Sequence, residues 1–484
     1  MSKLKLFINN FLIYGLGGII SKIIPLIMVP IITRIMPGTE YFGISDMSNT
    51  LISIGSALSV MGMYDAMYRV FFEKDDELFK KRVCSTALTF TMFTSLIIFL
   101  VMLIFQKPLA ILFFKDKKLG YLISMSAIAT LVGATNNIVS APIRMQNKRA
   151  IYLICNTVSP IISYGISIPL LLNGYYIIAL PLAGIISGVT MEIAFMLMNR
   201  NWFVLNLFDK KILKQLLIIG VPLLPNFLIY WVFNSSDRLM ITNLIGVDAS
   251  GVYAVGAKLG NASQLIYLAF TGGWQYFAFS TMHEKDQVKS NSMIFEYLGA
   301  VSFVVSAFVC AFSFVIYKIL FPEQYLAGYI IAPYLFLAPL LQMLFQVACN
   351  QFIVVKKTWP NMLILSGGAV ANVLLNLILI PIIGIEGASI ATVMGYILAD
   401  IICVIVLCKM KLMVVSKRFL LLTLMTLAFF LLWRLLFADN FIVGFLMATL
   451  FAAAVLFLYR NDIKTLFKKK DSDENEEQKA EDKK

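Results

Sequence analysis

The sequence predicts an all-α polytopic membrane protein: about fourteen transmembrane helices, arranged as two parallel six-helix lobes followed by two further helices. Three observations carry this expectation. Of 484 residues, 60% are hydrophobic and 14% charged, where a soluble chain has roughly 25% charged; mean hydropathy is +0.85. Basic residues alternate from one side of the apolar segments to the other. A constant offset of 208 residues relates landmarks in the two halves.

Apolar windows place spans at 10–33, 42–66, 83–105, 119–141, 151–172, 176–198, 216–244, 250–280, 291–317, 327–354, 361–382, 387–408, 418–437 and 441–459. The first reads FLIYGLGGIISKIIPLIMVPIITR, Phe11–Arg34, long enough at about 1.5 Å per residue to cross a hydrocarbon core. A lone cation, Lys22, stands in its middle, with Pro25 and Pro30 beyond. A charge at that depth costs about 2.5–3.5 kcal/mol on insertion scales, so it needs water, a partner or a ligand. Prolines free carbonyls that neighbours must satisfy. The N-terminus is short and basic (Lys3, Lys5) and runs into this span with no small-residue cleavage site, so the first helix reads as its own targeting signal. The least regular span is 250–280, which holds Lys258, Asn261 and Gln264.

With the N-terminus inside, the cytoplasmic segments carry about 30 of the 40 Lys and Arg, and the opposite segments about seven. This is the positive-inside bias, and it accounts for a net charge of +13 without invoking nucleic acid. It places both termini in the cytoplasm. Lys115, Lys117 and Lys118 break the pattern in one outer loop, the longest at about 13 residues. The tail beyond Tyr459 is basic, then acidic, and reads as disordered. Six cysteines without paired spacing read as buried thiols. The single histidine, His283, lies in a cytoplasmic loop, which excludes histidine-based zinc and acid–base chemistry within the membrane. Without a Walker loop, ATP is not the direct energy source. No cofactor is expected.

Gly43 and Gly251, Lys148 and Lys356, and Glu192 and Asp400 each stand 208 residues apart. Six spans per half is an even number, so the halves are parallel repeats about an axis normal to the membrane. The expected division is 1–205, 206–412, an appended helix pair at 413–460, and the tail at 461–484.

Two stretches, PIITRIMPGTEYFGISDMSNTLISIGSALSVMGMYDAMYRVFFE (30–73) and SSDRLMITNLIGVDASGVYAVGAKLGN (235–261), resemble the first hairpin and the seventh and eighth helices of bacterial oligosaccharide flippases. These form the polysaccharide transporter branch of the multidrug/oligosaccharidyl-lipid/polysaccharide exporter superfamily. The resemblance covers the twelve core helices and implies alternating access around a central, often cationic cavity. It implies as substrate a polyprenyl-diphosphate-linked oligosaccharide, moved from inner to outer leaflet of a bacterial plasma (inner) membrane. It also implies membrane lipids and the pathway's glycosyltransferases and polymerase as partners.

Lys22 and Lys258 are the leading substrate-binding candidates. They lie about 20 Å from the inner face and 12 Å from the outer face, and the resemblance places basic residues of these two helices against the lipid diphosphate. An ammonium suits a phosphate as a compact point charge; the alternative is snorkelling or a structural pair. Arg34 and Arg238 complete the cationic set. Arg34 and Asp46 flank the first outer turn, as an interfacial ion pair or an outer gate. Asp65 and Arg69, four apart, share a helix face and are a gating candidate. Asp237 and Arg238 are adjacent and point apart, so each is expected to find partners on neighbouring helices. Glu192 and Asp400, the deepest carboxylates, are either coupling sites for H+ or Na+ or helix-packing contacts. Asn372 and Asn376 are expected to join helices. Trp274 and Tyr276 fit an interfacial belt or a sugar platform.

A cation-coupled drug or metabolite antiporter of the same superfamily would need acidic cavity residues, and the charges at mid-membrane are mainly positive. A polysaccharide polymerase or ligase would need a reactive outer loop, and no outer loop is large enough to supply one.

Overall fold

The computed structural model describes residues 23–282, 284–357 and 359–462. Lys22, His283 and the tail from 463 onward lie outside the described residues. Among the described residues the chain is helical, without a strand, and eleven helices are long and apolar enough to cross a membrane.

The first half comprises α1 (Ile23–Ile35), α2 (Thr39–Val60), α3 (Met63–Phe71), α4 (Glu77–Ile104), α5 (Gln106–Phe114), α6 (Gly120–Met145), α7 (Arg149–Leu172) and α8 (Ala179–Asn199). Next, α9 (Lys210–Gly220), α10 (Leu224–Trp231) and α11 (Asp237–Leu244) run on as one rod through a short 3-10 turn and a π turn at Val232–Ser236. The remainder is α12 (Val247–Gly260), α13 (Gln264–Ser280), α14 (Gln287–Leu320), α15 (Gly328–Val354), α16 (Trp359–Ile383), α17 (Ile385–Lys409), α18 (Lys417–Leu432) and α19 (Phe441–Leu458).

Helix starts follow local chemistry. Asp76, Asp209, Ser416 and Asn440 cap α4, α9, α18 and α19 by accepting from first-turn amides. Five of the six cysteines are buried and none is paired.

Three expected boundaries differ. The span 42–66 is interrupted at Met61 and Gly62, both left-handed, which ends α2 and re-aims α3. The Gly62 carbon lies against Gly220 of the α9–α10 junction, where an added Cβ would stand 2.4 Å from the Gly220 oxygen, so only glycine admits this approach. The span 250–280 breaks into α12 and α13 at Asn261–Ser263. The outer segment 106–118, expected as a loop, is mostly α5, whose Ala110, Phe113 and Phe114 bury against Leu122 and Ile123 of α6.

Two packed sets result. In one, α6 lies between α2, α4 and α8, with α7 against α8. In the other, α15 lies between α12, α14 and α17, with α16 against α17. The sets meet where α2 packs on α12 and where α3 packs on α9. α19 packs on α14 beside α18.

Candidate functional site

α2 and α12 cross near the ends assigned by the basic-residue pattern to the outside. A Cβ on Gly43 would lie 2.3 Å from the Val247 oxygen, and one on Gly251 would lie 2.0 Å from the Thr39 oxygen. Both neighbours are backbone, so neither can yield. The contact is reciprocal. Gly43 and Gly251 are 208 apart, and so are Thr39 and Val247; this is the pattern of a two-fold contact.

Other bonds close the same end. Arg34 does not pair with Asp46, as expected, but donates to the carbonyls of Ile319 (2.8 Å) and Leu320 (3.3 Å), capping α14. The helix end offers free carbonyls that the guanidinium can reach. The Tyr325 hydroxyl donates to the Gly38 carbonyl at 3.4 Å; burial pushes its phenol well above the ordinary range, so it remains a donor.

Asp46 pairs instead with Arg238. The Nε–Oδ2 distance is 2.7 Å, with the side chains 11% and 6% exposed. The two residues sit on opposite sides of the contact between the packed sets. Arg238 also lies 3.8 Å from Asp237, which modifies the expectation that these neighbours point apart. The π turn just before them widens the helix and frees carbonyls, and Arg238 Nη1 donates to one, Asn234 O. The Tyr253 hydroxyl of α12 donates to Asp237 Oδ2. A buried network of two carboxylates, one guanidinium and one phenol thus ties α2, α11 and α12.

Inward of this network, Trp231 Nε1 donates to Ser53 Oγ at 3.0 Å. Between the two contacts, Asn49 of α2 and Asn234 of the π turn are both exposed. Lys258 is also exposed, seven residues and so about two turns from Gly251, on the face of α12 that meets α2. It makes no ion pair among the described residues. Each of Asn49, Asn234 and Lys258 lies about 15 Å from the outer end of its helix. Exposed polar groups at one depth on α2, the π turn and α12 fit a gap between the two sets, below the outer contact and above the α3–α9 contact. A polar crevice runs from it into the second set, reaching Asn261, Gln342 and Tyr396.

The remaining candidates fall elsewhere. Asp65 and Arg69 are exposed on α3 and form no bridge with each other. Glu192 accepts from Thr135 of α6. Asp400 is 8% exposed, and neither of its oxygens has a hydrogen-bond partner among the described residues. Asn372 donates to Thr392 at 3.2 Å and Asn376 to Asn372 at 3.3 Å, joining α16 to α17. Trp274 is buried and stacks on Phe270 at 5.5 Å, which removes it from both a belt and a sugar platform; the Tyr276 side chain lies outside the described set.

Asn49, Ser53 and Asn234 were not singled out from the sequence. Their signal was present: Asn49 and Ser53 are polar at a four-residue spacing on one face of an apolar helix. Arg144 was also passed over as a cytoplasmic charge. α6 extends to Met145, so Arg144 donates to the Tyr64 hydroxyl at 2.8 Å and stacks over Tyr152 at 4.9 Å.

Residues 31–329 match a family model described as polysaccharide biosynthesis protein. A comparison with curated protein sequences finds no match. Among solved structures, the lipid II flippase MurJ in an inward closed conformation aligns with a TM-score of 0.71 at 14% identity, covering 93% of this chain and 100% of that one. An inward-facing multidrug resistance MATE family transporter of the MOP superfamily aligns with a TM-score of 0.60 at 14% identity, covering 81% and 98%. An outward-facing conformation of a multidrug resistance MATE family transporter of the MOP superfamily aligns with a TM-score of 0.53 at 13% identity, covering 84% and 95%. At these identities the likeness shows a shared fold.

Proposed function

The chain belongs to the polysaccharide biosynthesis protein family, and from that premise we propose that it flips a polyprenyl-diphosphate-linked oligosaccharide from the inner to the outer leaflet. The observation that carries this reading is Lys258: an ammonium without an anionic partner among the described residues, exposed at membrane depth on the face of α12 that meets α2. An unpaired intramembrane cation is costly and is retained where an anion visits it. The exposed amides of Asn49, Asn234 and Asn261 suit hydroxyl-rich cargo.

The two sets act as the lobes of an alternating-access machine. In the arrangement described here the outer end is shut by the Gly43–Gly251 crossing, the Arg34 cap and the Asp46–Arg238 bridge. Outward opening must break all three. Arg238, whose charge Asp46 and Asp237 already occupy, serves the closure rather than the substrate. Lys22 joins Lys258 in this proposal on sequence grounds alone.

Moving negative charge outward runs downhill across an inside-negative membrane. At about 2.3 kcal/mol per charge per 100 mV, a diphosphate of about two charges gains roughly 4–5 kcal/mol. The potential therefore supplies much of the drive, and a coupled cation would add to it.

The test is translocation of a lipid-linked oligosaccharide in proteoliposomes. Lys258→Glu should lose it, while Lys258→Arg should retain most of it. Wild-type rates in the Lys258→Glu protein would refute the role given to the lysine. Uptake of a fluorescent organic cation in place of lipid translocation would favour the antiporter reading.

A further inference from the structure

We propose that Asp400 is a proton-binding site inside the second helix set, linked to the central gap through Tyr396. Asp400 sits on α17 about 22 Å from its outer end, 8% exposed, and neither oxygen has a hydrogen-bond partner among the described residues. A carboxylate in such surroundings has no donor and no counter-ion to hold its charge, so the stable form is the neutral acid. The groups that face it are themselves uncharged. Cys349 approaches from α15, and Cys403 lies one turn inward on the same helix. Tyr396 lies one turn outward on the same face, and Tyr230 and Tyr267 stand behind it from α10 and α13. α16 contributes no titratable residue along its whole length. From α11 and α12, Asp237, Arg238 and Tyr253 are committed to one another and to Asp46, and Lys258 faces the other set.

The crevice brings the proton's route as far as Tyr396, one turn from the acid. Tyr396 lines the polar crevice with Asn234, Asn261 and Gln342, and that crevice opens toward the gap. When α15 and α17 part enough to admit water past Tyr396, the acid O–H bond breaks, the proton passes to water as hydronium, and the carboxylate remains. Reclosing requires a proton to return first, because the apolar seal does not tolerate the ion. Protonation of Asp400 is thereby coupled to how tightly the second set is packed.

The proton site stands on geometry. Its use in transport rests on the flippase reading, and two readouts separate them. In the full-length protein in proteoliposomes, the infrared spectrum should hold a protonated-carboxyl stretching band at neutral pH that is lost in Asp400→Asn. The amide is isosteric with the neutral acid and should fold. Should Asp400→Asn fail to fold, Asp400→Glu should shift the band in frequency. Absence of the band in wild type, or its persistence unchanged in both variants, overturns the proposal. Separately, with the membrane potential clamped at zero and one proton moved per lipid, a difference of about one pH unit should shift the steady-state leaflet ratio about tenfold. Asp400→Asn should show no shift. A variant that keeps the wild-type pH response overturns the coupling. If no protein translocates lipid, the flippase reading fails while the infrared band still decides the proton site.

Discussion

Replacing Gly251 by alanine tests the outer closure at its narrowest point. The added Cβ would stand 2.0 Å from the Thr39 oxygen and 3.1 Å from the Gly43 nitrogen. Ordinary contact begins near 3.4 Å, so α2 and α12 must separate by about 1.4 Å. Both obstacles are backbone, and no rotamer change relieves them. Overpacking of this kind typically costs about 1–3 kcal/mol. In the proposed alternating-access cycle the contact exists only in the outer-closed arrangement, so that cost falls on one state of a two-state equilibrium and shifts it about 5- to 150-fold toward opening. The assay is the distance between spin labels on Glu40 and Glu323, at the outer ends of the two sets, in a background without the native cysteines. Wild type should give a short distance; Gly251→Ala should give a longer one or a mixture, with lipid translocation reduced in step. Gly367→Ala is the control, since nothing lies within 4 Å of its added carbon. If Gly251→Ala keeps the wild-type label distance and translocation rate, the crossing is not what shuts the outer end.

Further outcomes follow from the same contacts. Arg238→Ala strands Asp46 and Asp237 without a counter-ion and should destabilise the fold by about 3–5 kcal/mol, measured by thermal unfolding in detergent; adding Asp46→Ala should recover part of that loss. Glu192→Gln keeps an acceptor for Thr135, so stability and translocation should stay near wild type; a loss of translocation would instead make Glu192 a coupling residue. Arg434→Ala removes a 2.7 Å bridge to Glu386 that ties the turn after α18 to α17. Because Arg434 is partly exposed, about 1 kcal/mol or less is expected, and a larger loss would mean that the appended helices brace the second set.

Helix class and the places of most spans were legible because a bilayer imposes them locally: each span must be long and apolar, and eleven of the fourteen expected stand among the described residues as helices long and apolar enough to cross. The breaks were less so. Gly62 beside Met61 is one glycine in an apolar run, the polar residues of 250–280 marked that span as irregular without locating its break at Asn261–Ser263, and the π turn at Val232–Ser236 contains neither Gly nor Pro. The site was legible in its residue types but not its pairings. Asp46 and Arg34 are twelve apart and flank one turn, so sequence proximity joined them. The true partner, Arg238, is 192 residues away and reaches Asp46 only through the crossing of α2 with the α9–α11 rod. The glycine offset gave the deepest signal, and its meaning emerged only when the two glycines proved to touch.

That contact explains how a tight closure can also be reversible. A pseudo-two-fold axis that passes between Gly43 and Gly251 places identical backbone on both sides, so the surfaces meet without interdigitating side chains and separate without repacking a core. Close backbone approach gives such an interface many weak contacts that vanish together over a short displacement. Selectivity for the closed state then comes from groups that break the symmetry. Position 46 is aspartate, but its equivalent, 254, is alanine; position 238 is arginine, but its equivalent, 30, is proline. The single bridge Asp46–Arg238 therefore adds one strong, directional bond to a shallow symmetric contact. The same asymmetry holds below it: Lys258 faces the gap, while its equivalent, Thr50, is buried. In the proposed cycle the duplicated framework supplies the motion, and the substitutions that depart from duplication supply the latch and the charge.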